Sequence, residues 1–153
     1  MQKIKIKLDE GAFMPTRAHS TDAGLDLYSR EDAVIFRHGS HVFDTGVHVE
    51  IPKGNGNFRF AGFLKSKSGL NVTNGIHSTG VIDVGYTGSI RVKLYNHGFE
   101  AVHIKRGQKI SQLVILPIIT PEIELVDTLA DTERGDGGFG SSGAFAEGVE
   151  HEG

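Results

Sequence analysis

Tyr86-Thr87-Gly88-Ser89-Ile90-Arg91-Val92-Lys93-Leu94-Tyr95-Asn96-His97-Gly98 decides the fold class. Ile90, Val92 and Leu94 alternate with Arg91, Lys93 and Tyr95, and a period of two puts the apolar set on one face of a half-buried strand. Turn signals close both ends, Tyr86-Thr87-Gly88 before it and Asn96-His97-Gly98 after it. The pattern recurs outward from there: Ile4, Ile6 and Leu8; Val47, Val49 and Ile51; Phe58 and Phe60 with Phe63. Further turn signals at Arg37-His38-Gly39-Ser40 and Pro52 to Asn57 give spacings of roughly ten residues, which predict a sandwich or barrel. No segment before Asp127 sustains helical periodicity for three turns, so one short helical turn around Ser68 to Val72 is the most helix expected. The fold class is all-β.

The totals fit one folded unit. The chain has 153 residues, 38% of them hydrophobic, enough for one compact core. Without cysteine it has no disulfide framework, no thiol zinc site and no thiol redox chemistry, and an intracellular, cytoplasmic location is the expectation. A net charge of -3 with both signs interspersed argues against a footprint that tracks a nucleic-acid polymer. A small anion needs only a local cluster. Lys and Ile alternate at the N-terminus and no run of apolar residues long enough to span a bilayer follows, so neither a signal peptide nor a membrane span is expected.

Two stretches depart from simple alternation. Lys109-Ile110-Ser111-Gln112-Leu113-Val114-Ile115-Leu116-Pro117 is apolar on both faces in its second half, as in a strand covered on both sides, and in so small a domain a neighbouring subunit can supply the cover. After Asp127 the character changes: Asp131 to Gly143 is rich in glycine and has almost nothing to bury. The expected organisation is a β-domain over residues 1–130, a glycine-rich arm over 131–143 and a disordered tail over 144–153.

Four places carry candidate chemistry. In the arm, closely spaced glycines let backbone N–H groups converge on phosphate oxygens, Arg134 adds a planar fork of donors, and Ser141 and Ser142 add hydroxyls. A flexible linker has the same composition, but Phe139 has no use in a linker, whereas a lid closing over a flat base can stack it. Leu64 to Leu70 stops a strand at alternating cations and hydroxyls, where Lys67, Ser68 and oriented amides suit a phosphate; a solvated loop with a capping serine accounts for it equally well. In Gly80-Val81-Ile82-Asp83-Val84-Gly85-Tyr86-Thr87-Gly88 the lone carboxylate of Asp83 suits a general base or shapes a turn. Asp22 and Asp26, if extended, share one face and suit an arginine or a metal-bound water. The histidines, His38 and His41 included, lack acidic companions in step and are expected as surface or loop residues.

Asp22 to Ser29, Ser66 to Leu70, Gly80 to Gly88, Gly107 to Leu113 and Arg134 to Gly143, in that order, resemble the five motifs of trimeric dUTPases. The resemblance covers the chain from about Ile4 to Gly143. It implies a jelly-roll-like, distorted β-barrel assembled as a homotrimer with each site shared between chains. The implied activity is hydrolysis of dUTP to dUMP and pyrophosphate, with Mg2+ carried on the triphosphate and touching protein mainly through water. Asp83 then corresponds to the base that activates water, Tyr86 to the ring against deoxyribose, and His77, Val81, Ile82 and Arg91 to the hairpin that holds uracil. Lys67, Ser68, Gly69 and Gln112 correspond to phosphate-binding positions. Arg134, Phe139, Gly140, Ser141 and Ser142 match the closing arm, and Asp26 a carboxylate beside the metal's water shell. Two positions depart from the usual pattern: Lys67 stands where Arg is common, and His77 where Asn is common. A dCTP deaminase of the same fold needs a glutamate near the base, and none lies between Asn71 and Tyr95. A non-catalytic trimeric scaffold has no use for Asp83, Tyr86 and Arg134 together.

Overall fold

The computed structural model describes residues 3–138. The strands are β1 (Lys5–Leu8), β2 (Gly24–Tyr28), β3 (Ala33–Ile35), β4 (Ser40–Asp44), β5 (Val47–Glu50) and β6 (Phe58–Ser66). The helix α1 (Ser68–Asn74) follows, then β7 (Ile76–His77), β8 (Thr79–Ile82), β9 (Arg91–Asn96), β10 (Val102–Ile104) and β11 (Lys109–Ile119). They pair antiparallel in four small sheets, ordered β1-β5, β10-β3, β2-β11-β6-β8 and β4-β9-β7. Neighbours in space are mostly distant in sequence, as crossovers between sheets require. The compact unit ends at Pro121, earlier than the boundary at residue 130 read from composition, and Glu122 onward forms a second unit with no strand among its described residues.

The alternation of β9 is realised in full: Val92 and Leu94 are completely buried between exposed Arg91, Lys93 and Tyr95. They meet Phe43 of β4, Val47 and Val49 of β5, Leu25 and Leu27 of β2, Leu64 of β6 and Leu113 of β11 in one core. Burying each of these side chains contributes about 1.5–3 kcal/mol before chain entropy is counted. Asn96, buried at the end of β9, donates to the carbonyls of Ile35 (2.9 Å) and Glu100 (2.8 Å) and accepts from Gly98 N–H at 2.9 Å. A polar group is thus spent on shaping the turn the sequence signalled.

Several readings change. Phe63 does not share a face with Phe58 and Phe60. Gly62 and Leu64 occupy the inward face of β6, and a Cβ at position 62 would stand 2.7 Å from the Leu113 side chain, so a larger residue there would displace it. Asp22 lies before β2 and its carboxylate accepts His19 N–H at 2.9 Å, so it shapes a turn and shares no strand face with Asp26. Of the histidines on strands, His77 and His103 are exposed as expected and His41 is part-exposed, whereas His48 departs from the surface-or-loop reading, being largely shielded on β5. Only the first half of β11 is covered by the described residues; further along, Leu116 is 43% and Ile119 66% exposed. The helical turn expected from Ser68 is there, but it runs to Asn74 and closes on Gly75 in the left-handed region (φ 66°), where a Cβ would strike the Gly98 backbone.

Candidate active site

β6 ends at Ser66, and three hydroxyls tie that end down. Ser66 Oγ accepts from Ser78 N–H at 2.9 Å and lies 3.2 Å from His77 Nδ1, and Ser78 Oγ meets Ser111 Oγ at 3.0 Å. Ser111 Oγ donates to the Lys65 carbonyl (3.0 Å), and Gln112 Nε2 to the Ser66 carbonyl (3.1 Å). Ser78 and Ser111 are buried and satisfied, which fixes β6, β8 and β11 in register where the backbone turns into α1. Ser66 opens the second motif without an assigned role and Ser78 lies outside the motifs; both are small hydroxyls whose value depends on cross-strand pairing. The turn presents Lys67, Ser68 and Gly69 outward. No side chain caps α1, so the capping role open to Ser68 is not taken up and its hydroxyl stays exposed.

Asp26, only 4% exposed on β2, faces Lys67 Nζ at 2.6 Å and Lys109 Nζ at 2.7 Å. Burial pushes its carboxyl up, but the hydrogen bonds and charges of Lys109 and Lys67 outweigh this and hold it below the usual 3.8. Lys109 is raised in turn by its bond to Asp26. Lys109 is a partner that sequence reading missed, although it stands in the fourth motif; only the pairing of β11 with β2 brings it to Asp26. With both oxygens engaged by ammonium groups, Asp26 does not suit direct metal ligation. No cluster of three or more metal-ligating side chains occurs among the described residues.

A second cluster lies on the turn after β8. Ile82 is buried, Val81 is outward, and Asp83 follows as an exposed carboxylate with no ion pair among the described residues. Tyr86 N–H donates to the Asp83 carbonyl at 3.1 Å, and Tyr86 OH to the Ser89 carbonyl at 3.0 Å, laying the ring along the turn. Gly88 makes that possible: a Cβ there would stand 2.6 Å from the phenolic oxygen. The segment from His77 to Arg91 is not one hairpin. β7 pairs with β9 (His77 opposite Tyr95), whereas β8 crosses to β6 (Thr79 opposite Lys65), the switch falling at buried Ser78. Arg91 stands opposite Asp44 at the start of β9.

The two clusters do not meet within one chain. Thr79 is opposite Lys65, beside Lys67, and the strand then runs four residues on to Asp83, about 13 Å at about 3.3 Å per residue. Lys67, Asp26, Gln112 and His77 gather at one end of this strand, while Asp83, Tyr86, Val81 and Arg91 gather at the other. Arg134 belongs to the second unit, where its Nε donates to the Gly137 carbonyl at 2.8 Å. Phe139, Gly140, Ser141 and Ser142 lie outside the described residues.

An all-β nucleotide hydrolase is the class that this strand order and these two clusters define. The dUTPase family profile matches residues 10–143. A deoxyuridine 5'-triphosphate nucleotidohydrolase of Gloeothece citriformis is 41% identical over 92% of this chain and 97% of its own. Its namesake from Clostridium tetani is also 41% identical, over 92% and 96%. Among solved structures, a dUTPase of Staphylococcus bacteriophage 80alpha with dUpNHpp superposes with a TM-score of 0.83 at 32% identity, covering 94% of this chain and 100% of that one. The chain belongs to the dUTPase family, and the activity it carries is dUTP diphosphatase. Its β-domain is the jelly-roll-like fold of that family.

Proposed function

We propose that this enzyme cleaves dUTP to dUMP and pyrophosphate by attack of water on the α-phosphorus, with Asp83 as the general base. The observation that carries this is the contrast between the two carboxylates: Asp83 is solvent-facing and unpaired by any described cation, whereas Asp26 is locked between two lysines. A free carboxylate on a rigid turn can accept a proton from water. Tyr86 lies flat beside it and offers the deoxyribose a surface that leaves no room for a 2'-hydroxyl. Main-chain groups near Val81 and Ile82, with Arg91 at the start of β9, read uracil, and His77 joins them from the half that carries Lys67; Ile82 contributes through its backbone because its side chain is in the core.

Lys67, Ser68, Gly69 and Gln112 hold the phosphates. Lys67 Nζ keeps protons beyond the one given to Asp26, and Asp26 fixes where the ammonium points, a role for which the usual Arg would need different geometry. Asp26, held by Lys67 and Lys109, is the carboxylate that would lie on the side of the water shell of a magnesium ion carried on the triphosphate, and the ion would supply further charge neutralisation. Catalysis then rests chiefly on positioning and electrostatics, as in phosphoryl transfer generally. Because the clusters lie at opposite ends of β8, we assign one half of each site to one protomer and the other half to a neighbour, in a homotrimer whose contacts cover the exposed end of β11. Residues 131–143, with Arg134, Phe139, Gly140, Ser141 and Ser142, act as the arm that closes over the nucleotide.

Among the described residues no helix is long and apolar enough to cross a membrane. A cytoplasmic location, with dUTP as the small-molecule partner and no nucleic-acid polymer, completes the proposed reading. Pyrophosphate release from dUTP, dCTP, dTTP and UTP with magnesium, run in 18O-labelled water, tests it. Selectivity for dUTP with label in dUMP is expected, since a pocket matched to uracil rejects cytosine by about 10⁴. Label in pyrophosphate would overturn α-attack.

A further inference from the structure

The turn from Asp83 to Ser89 is held from outside by residues that belong to none of the five motifs. His48, on β5, places Nδ1 2.8 Å from the Thr87 carbonyl oxygen and Nε2 3.0 Å from an Asp9 carboxylate oxygen. Both partners are acceptors. A neutral imidazole has one N–H and can donate to only one of them, whereas the imidazolium donates to both. Asp9 is steadied in turn: Arg30 Nη1 lies 3.9 Å from Asp9 and 3.9 Å from Asp44. Asp44 accepts from the Ser89 hydroxyl and from Gly46 N–H. Gly46 leaves the room that Arg30 occupies, since a Cβ there would stand 2.6 Å from Nη1. The residues on either side of Gly88 are therefore pinned by His48 and Asp44, with Arg30 between the two carboxylates.

We infer that His48 is a positioning residue for the nucleotide-binding turn: in its doubly protonated form it holds Thr87, and the grip on nucleotide weakens when that proton leaves. This rests on the assignment of Asp83 to Gly88 to the site. The charged neighbours are mixed. Asp9 favours the proton; Lys7, opposite His48 on β1, opposes it. Arg30 stands behind Asp9, Lys5 and Glu50 neutralise each other at 2.7 Å, and Arg91 faces Asp44 across β4 and β9. On balance the Thr87 carbonyl and then Asp9 hold the ring above its ordinary 6.5, against partial burial. The device is fully engaged below that ordinary value and is lost as pH rises through the raised one.

Ring resonances of the full-length protein, titrated with and without saturating α,β-imido-dUTP and magnesium, test the inference; loss of the signal in His48→Gln assigns it. His48 is expected to titrate above 6.5 when free and to bind its proton about three- to tenfold more tightly with nucleotide bound; by reciprocity, nucleotide affinity falls by the same factor through that titration. His48→Gln keeps one donor, so its KM should be severalfold higher and lack this pH step while kcat is retained. A residue that merely supports the fold would not remove the step. Binding of the analogue with an unmoved His48 overturns the inference alone. An analogue that does not bind at all overturns the site assignment and the inference with it.

Discussion

Asp83 and Asp26 are the same side chain in opposite surroundings, and their substitutions should fail differently. Asp83 is exposed, so Asp83→Asn should leave folding intact and lower kcat by about 10² to 10⁴ with little change in KM, read by steady-state hydrolysis of dUTP. Asp26 is buried between Lys67 and Lys109, and Asp26→Asn removes an ionised acceptor from both. A loss of about 1.5–3 kcal/mol is expected from denaturant unfolding at neutral pH. Its folded-state pKa is depressed, so the stability it supplies is full above 3.8 and lost as pH falls through the lower folded value. Acid unfolding of the wild type should steepen there, and Asp26→Asn should be flatter over the same range. The sequence displayed both aspartates as motif residues. It could not show that Lys109 completes the surroundings of Asp26, or that Ser78 and Ser111 tie down the end of β6 beside Lys67, because those contacts come from strand register between distant segments.

At the level of elements, alternation was a sound guide wherever one face of a strand meets the core, as in β9 and β5. It failed at β6, where Gly62 lies on the inward face and the phenylalanines fall on both sides. It also hid the parting of β7 from β8, since a strand that changes sheets at Ser78 reads as one continuous segment. The turn that follows depends on a missing side chain. Gly88→Ala would push the Tyr86 ring from its bond to the Ser89 carbonyl. A KM for dUTP raised roughly tenfold, about 1.4 kcal/mol of binding, is expected, with β-sheet circular dichroism unchanged. Weaker rejection of UTP should accompany it, as the ring is proposed to exclude the 2'-hydroxyl.

For the whole molecule, the β-domain was legible from periodicity, whereas the cover over the second half of β11 was not, because the described residues leave Leu116 and Ile119 largely exposed. The proposed arm rests on composition joined to a motif. Truncation after Thr132 should leave secondary structure and subunit number unchanged by circular dichroism and light scattering, with little hydrolysis remaining. The separation of Lys67 from Asp83 along β8 is the feature on which the shared site stands. Co-expression of Lys67→Ala with Asp83→Asn measures it most directly. Each variant alone should be nearly inactive, but if each site takes these residues from different protomers, random assembly rebuilds about a quarter of the sites, and the mixture should recover about that share of wild-type turnover. A mixture no more active than the mean of its two parents would contradict a site built between chains.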